Sequence, residues 1–215
     1  DKADWSNGMN RIYEALALDF LYTDPKSLLI FLDNHDTERF SDKVKGDAKK
    51  IKLGLTLLAT MRGIPQLYYG TEYGFRSTDV TKGDGASRKD FPGGWKGDRK
   101  NLFTGKNRSK KEGEIFDFAV KLFRWRKTCT AIHNGETVHF LPEDNTYAYF
   151  RYTRSEAVFV FINATKESVK IDWNKYAEQL KGYTNGINVI TGKEVSLKRS
   201  KSAAAGEPLV LELRA

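Results

Sequence analysis

The chain has 215 residues, 40% hydrophobic and 13% aromatic, which is enough to build one large core or two smaller ones and excludes disorder as a whole. A formal net charge of +8 raises nucleic acid as a partner, but the basic residues cluster in loops, around Lys43 to Lys52 and Lys96 to Lys111, with no stacking or groove-reading motif beside them, so they read as solvated surface. The single cysteine, Cys129, excludes an intrachain disulfide and a cysteine-rich metal site, and no apolar run is long enough to span a membrane.

From Met9 to Tyr22 the residues Ile12, Tyr13, Leu16, Phe20 and Leu21 recur near helical spacing, and Thr23-Asp24-Pro25 stops the helix. The run Leu28-Leu29-Ile30-Phe31-Leu32 follows, continuously apolar as a strand buried on both faces would be. It delivers Asp33, Asn34, His35 and Asp36 where it ends. In a parallel barrel that end lines the active-site mouth, so Asp36 is the first candidate site residue; a polar turn capped by its own side chains is the plainer reading. Asp47 then caps a second helix carrying Ile51, Leu53, Leu55, Leu57, Leu58 and Met61, which ends near Arg62-Gly63. A second strand is expected over Ile64 to Tyr69. Strand, helix, strand in this order predicts a βαβ unit of a parallel sheet.

Residues 70 to about 112 are glycine-rich and aperiodic, as a long functional loop is, and they leave from a strand's carboxyl end. A third helix, Glu114 to Lys127, carries Ile115, Phe118, Ala119, Leu122, Phe123 and Trp125. From about Ala131 the pattern changes to short strands: 136–141, 146–153, 157–163, 169–173 and weaker ones through Leu213, with Asp144-Asn145 as a hairpin turn. Lys198 to Gly206 reads as a mobile loop. The expected architecture is α/β followed by all-β, with residues 1–130 and 131–215 as its two parts. A closed eightfold barrel needs about 200 residues or more, so most of one would lie outside residues 1–130.

FLDNHDTERF resembles the strand-seven signature of the α-amylase family, glycoside hydrolase family thirteen, and GIPQLYYGTEYGF resembles its strand-eight signature. RKDFPGGW, after GDGAS, is similar to the neopullulanase and cyclomaltodextrinase branch. The resemblance covers essentially the whole chain. It implies the carboxyl-terminal part of a (β/α)8 TIM barrel, from helix six to helix eight, followed by an antiparallel β-sandwich domain. It implies a retaining hydrolase of α-1,4-glucosidic bonds in starch, pullulan or maltooligosaccharides, with its nucleophile and general acid on barrel strands four and five, upstream of this chain. The 215 residues alone are then expected to be inactive, and the alternative class is a noncatalytic glucan-binding module.

By the same resemblance Asp36 is the third family carboxylate, binding hydroxyls of the cleaved sugar, and His35 donates to the same ring. Hydrogen bonds that strengthen as positive charge develops on the sugar stabilise the transition state more than the ground state. Asp84 and Arg88 match the pair that holds the next glucose toward the nonreducing end. Arg39 is expected among the substrate-binding residues, pairing with a rim carboxylate, or else as a surface ion pair; Trp95 is expected there too, and Phe91 and Trp95 either cover sugar faces or fasten their loop. Asp33 orients its neighbours or caps the turn. His133 and His139 have no third ligand at metal spacing, so no metal site is expected in this segment. No cofactor is required by it, although calcium is possible in a full-length protein. The expected partners are an α-glucan and either the missing amino-terminal barrel segment or another copy of the chain, with no nucleic acid and no membrane span. A bacterial protein, periplasmic or secreted, is implied by the relatives.

Overall fold

A computed structural model describes residues 7–215. Helix α1 spans Met9–Ala17, 3-10 turns follow at Asp19–Leu21 and Pro25–Ser27, and strand β1 is Leu29–Phe31. The short helix α2, Phe40–Lys43, precedes α3, Ala48–Thr60, which Asp47 caps by accepting from the backbone N–H groups of Lys49 (2.8 Å) and Lys50 (3.3 Å). Gly63, at φ +110°, ends the connection to strand β2, Ile64–Gln66; a Cβ there would lie 2.7 Å from the Leu28 carbonyl oxygen, so only glycine fits. β1 and β2 pair in parallel, Leu29 with Ile64 and Phe31 with Gln66, as the βαβ pattern predicts. Both strands are shorter than expected.

Helix α4, Lys110–Arg126, begins earlier than its apolar stripe, because Ser109 and Glu112 form a capping box: the Ser109 Oγ accepts from the Glu112 N–H (3.3 Å), and Glu112 Oε2 accepts from the Ser109 N–H (2.8 Å). It packs on α3 through Ile115, Phe118, Ala119 and Leu122 against Ile51, Leu55 and Ala59. Lys52, expected among the solvated lysines, is instead almost buried and bridges Glu114 (2.9 Å) and Glu207 (3.2 Å).

After the five-residue helix α5, Thr130–Asn134, come strands β3 (Glu136–His139), β4 (Thr146–Tyr152), β5 (Ala157–Asn163), β6 (Val169–Ile171), β7 (Asn185–Asn188), β8 (Glu194–Ser196), β9 (Lys201–Ala203) and β10 (Pro208–Arg214). Six form one antiparallel sheet in the order β3-β4-β5-β10-β7-β8, and β6 pairs with β9. Lys201–Ala203 is thus an ordered strand where the polar composition suggests a mobile loop. Asp144 and Asn145 both sit at positive φ, 45° and 59°, as the predicted tight hairpin between β3 and β4 requires.

Every residue of β5 is buried because its two faces meet different partners. Phe159 and Phe161 point into a core with Ile171, Tyr176, Val195, Ala203 and Leu211, under the small sheet. Val158, Val160 and Ile162 point the other way, into a core with Leu53 of α3, Ala131 and Ile132 of α5, and Tyr147 and Tyr149 of β4. The helices of the first part therefore cover one face of the large sheet.

The two-stranded sheet is different. Leu29, Phe31 and Ile64 are 57%, 44% and 54% exposed, and nearby Phe20 is 79% exposed, although apolar strand residues normally supply a core. Neither outer edge of this sheet is paired among the described residues.

Candidate active site

The strand tips set the geometry. β1 ends at Phe31, and two residues on, Asp33 is 1% exposed, with its carboxylate accepting from the Phe40 N–H (2.9 Å) and from the Thr71 hydroxyl (2.8 Å) just beyond β2. The turn between is closed locally. The Asn34 side chain accepts from the Asp36 N–H (2.9 Å), and the Thr37 hydroxyl accepts from the Asn34 N–H (3.0 Å). With Asp33 turned inward and the backbone fixed, His35 and Asp36 point out; their side chains are 61% and 62% exposed.

Asp36 is held from two sides. His35 Nε2 lies 3.1 Å from its Oδ2, and Arg88 Nη2 lies 2.9 Å from its Oδ1. The Arg88 Nε also donates to the His35 carbonyl (2.8 Å), and its Nη2 is 3.7 Å from Asp84 Oδ2. Asp36, His35, Asp84 and Arg88, predicted as site residues from positions up to 53 apart in sequence, thus form one exposed cluster.

Arg39 does not join them. It is 0% exposed, so it cannot meet a ligand at the rim, and the rim-carboxylate and surface ion-pair readings both give way to burial. Its Nη1 donates to the Tyr69 carbonyl (2.6 Å), its Nε donates to the Ser87 carbonyl (2.9 Å), and its guanidinium lies 4.0 Å from the centre of the Tyr68 ring. It is a post under the site, tying the tip of β2 to the residue preceding Arg88. Burial, and then the charge of Arg39, pull the neighbouring Lys89 ammonium below its usual range, and its Nζ sits 4.4 Å over the Phe75 ring. Glu72 is pushed up by burial. Burial acts to raise Asp42 as well, but hydrogen bonds from Ser77 and Arg76 outweigh it and hold the carboxyl low.

Trp95 is 67% exposed on a separate loop, whose backbone is held by Asp98 accepting from the N–H groups of Gly93 and Trp95. Its indole makes no ring contact with the Asp36 cluster among the described residues. Phe91 fastens the loop, packing against Tyr73, Phe75 and Phe103. The inward role of Asp33 and the Arg39 post are the parts of the site that sequence reasoning did not resolve; the acid directly after an apolar run was the available clue to the first. A groove of about 900 Å³ lies in the β domain, lined by Asp144, Thr165, Lys170 and Tyr176 among others, and none of the cluster residues lines it.

Chemically, the cluster offers carboxylate acceptors beside a guanidinium donor, the complement of adjacent hydroxyls. Among the described residues no group of three or more His, Cys, Asp or Glu is placed to hold a metal ion, and no helix is long and apolar enough to cross a membrane.

Parallel strands with polar residues at their carboxyl ends, a covering helix pair and a trailing antiparallel domain define a piece of a β/α barrel with a β-sandwich behind it. Residues 8–99 match the family profile described as "Alpha amylase, catalytic domain", and residues 137–212 match "Cyclo-malto-dextrinase C-terminal domain". Through both parts, the chain is similar to the α-amylase family, and its trailing domain is similar to that of cyclomaltodextrinases. A cyclomaltodextrin glucanotransferase of Geobacillus stearothermophilus is 26% identical over 184 residues, covering 82% of this chain and 23% of that protein. A cyclomaltodextrinase of Geobacillus thermopakistaniensis is 27% identical over 142 residues, covering 65% and 21%. In fold, the chain is similar to an α-amylase of Geobacillus thermoleovorans solved with acarbose, at a TM-score of 0.76 and 22% identity, covering 97% of this chain and 44% of that one. The chain thus spans about a quarter or less of those two curated relatives' length. The (β/α)8 segment and trailing β-sandwich are as the motifs imply.

Proposed function

We propose that this chain supplies the carboxyl-terminal part of a retaining α-glucan hydrolase, in which Asp36 binds hydroxyls of the sugar being cleaved and stabilises its oxocarbenium-like transition state. The carrying observation is the exposed Asp36 carboxylate at a strand tip, flanked by His35 and Arg88. His35 donates to the same ring. Asp84 and Arg88 hold the adjoining glucose, and Trp95 meets the glucan further along. The division into a barrel segment, residues 1–130, and a β domain, residues 131–215, belongs to this reading, with residues 1–6 outside the described ones.

Retaining chemistry needs a nucleophile and a general acid about 5–5.5 Å apart. Asp33 is unsuited to either role, being buried and committed to Thr71 and Phe40. By the resemblance to the α-amylase family both groups are assigned to preceding barrel strands, and the exposed Leu29, Phe31 and Ile64 are the face those strands would cover. A periplasmic or secreted bacterial parent accords with the bacterial relatives.

Co-expression of the chain with the preceding barrel segment of a related cyclomaltodextrinase tests this reading. The expected result is co-purification and release of reducing ends from maltooligosaccharides by the pair but not by either piece. Hydrolysis by the purified chain alone would overturn the assignment of the nucleophile and acid. Glucan binding by a pair that has no hydrolytic activity would favour a noncatalytic module.

A further inference from the structure

Arg88 is placed against two carboxylates at once. A single nitrogen, Nη2, donates to Asp36 at 2.9 Å and lies 3.7 Å from Asp84, an ion-pair distance beyond hydrogen-bond reach. The Nε bond to the His35 carbonyl holds the guanidinium close enough to reach either acid without moving the backbone. The Arg88, Asp36 and Asp84 side chains are 44%, 62% and 61% exposed. Exposed pairs of this kind differ by only a few-fold in population, so the arginine can exchange partners cheaply. Beneath it, Arg39 fixes the Ser87 carbonyl and hence the base from which Arg88 projects.

A sugar that uses Asp36 as an acceptor has to compete with Arg88 for it. A sugar lying beside Asp84 meets an acid whose arginine is committed elsewhere. We propose that Arg88 is a shared counterion that couples the two sugar positions: it rests on Asp36 in the free protein, and a glucan that takes Asp36 as its acceptor frees the guanidinium to donate to the adjoining sugar beside Asp84, so that filling one position favours filling the other. This rests on the function proposed above and adds to it a device for preferring chains over single glucose units.

The test is a double-mutant cycle on the chain paired with its preceding barrel segment, using Arg88→Met, Asp84→Asn and both together, with affinity for methyl α-glucoside and for maltotriose measured by calorimetry. Each single variant is expected to weaken maltotriose binding about fivefold, the upper end for exposed charge pairs. The double variant is expected to be within about twofold of Arg88→Met alone. Methyl α-glucoside should bind Arg88→Met at least as well as it binds the parent, because Asp36 is uncovered. Additive losses, or equal losses for both sugars, overturn the coupling while leaving the sugar site standing.

If the parent pair binds neither sugar, the functional reading fails, and the counterion is judged without ligand. The Arg88 Nε–H signal in nitrogen-15 NMR should shift on Asp36→Asn and again on Asp84→Asn. A response to Asp36→Asn alone shows that Asp84 shares nothing and overturns the proposal.

Discussion

The carboxylate of Asp33 accepts the Thr71 hydroxyl at 2.8 Å, joining the turn after β1 to the turn after β2. That single buried bond couples the loop bearing Asp36 to the start of the loop bearing Arg88. Thr71→Val keeps the shape and removes the donor, leaving a buried carboxylate with one fewer partner. Urea unfolding should show a loss of about 1–3 kcal/mol. An unchanged midpoint would mean that Asp33 is not relying on this bond.

Arg39 makes a sharper prediction. Arg39→Met keeps much of the stem but strips hydrogen bonds from two main-chain carbonyls, those of Tyr69 and Ser87. Stability should fall by about 2–4 kcal/mol, taking each stranded acceptor at the lower end of its usual cost. Arg39→Lys should recover only part, because one ammonium cannot reproduce the guanidinium fork or its stacking on Tyr68. Limited proteolysis should then cut first near Ser87.

His139 gives the fold a pH dependence near neutrality. Its imidazole packs tilted against Tyr13, with 4.5 Å between ring centres, and its Nδ1 is 2.9 Å from the Tyr147 hydroxyl. Burial holds it below its ordinary value of 6.5, with the charge of Asp19 acting the other way. The unfolded chain therefore takes up the proton first. Stability from this group is fully present above about pH 6.5 and is lost as pH falls through the lowered value. Melting temperature should drop between about pH 7.5 and 5.5, and His139→Gln should flatten that slope. An identical slope in the variant would assign the effect elsewhere.

Much of this structure was legible in the sequence because its cues are local. Asp47 reads as a helix cap and Asp144-Asn145 as a hairpin turn, and each forms as its short-range chemistry dictates, whereas the run at 28–32, read as buried on both faces, is half exposed at Leu29 and Phe31. The motif around Asp36 was legible for the same reason. What escaped depends on partners far along the chain. Arg39 looks like a surface cation until Tyr69 and Ser87, 30 and 48 residues away, close over it. Lys52 looks solvated until Glu207 arrives from before β10. Lys201–Ala203 is polar, yet β6 offers it an edge to pair with. No local pattern encodes these closures, since each is made only when the chain is assembled.

Kinetics of the Asp36→Asn variant in the barrel completed by its preceding segment tests the central claim most directly. The account predicts that kcat on maltotriose falls by about 10²-fold or more while KM changes by much less, since the carboxylate is assigned its largest effect in the transition state. A variant that keeps kcat and only raises KM, or one that hydrolyses as the parent does, would contradict it.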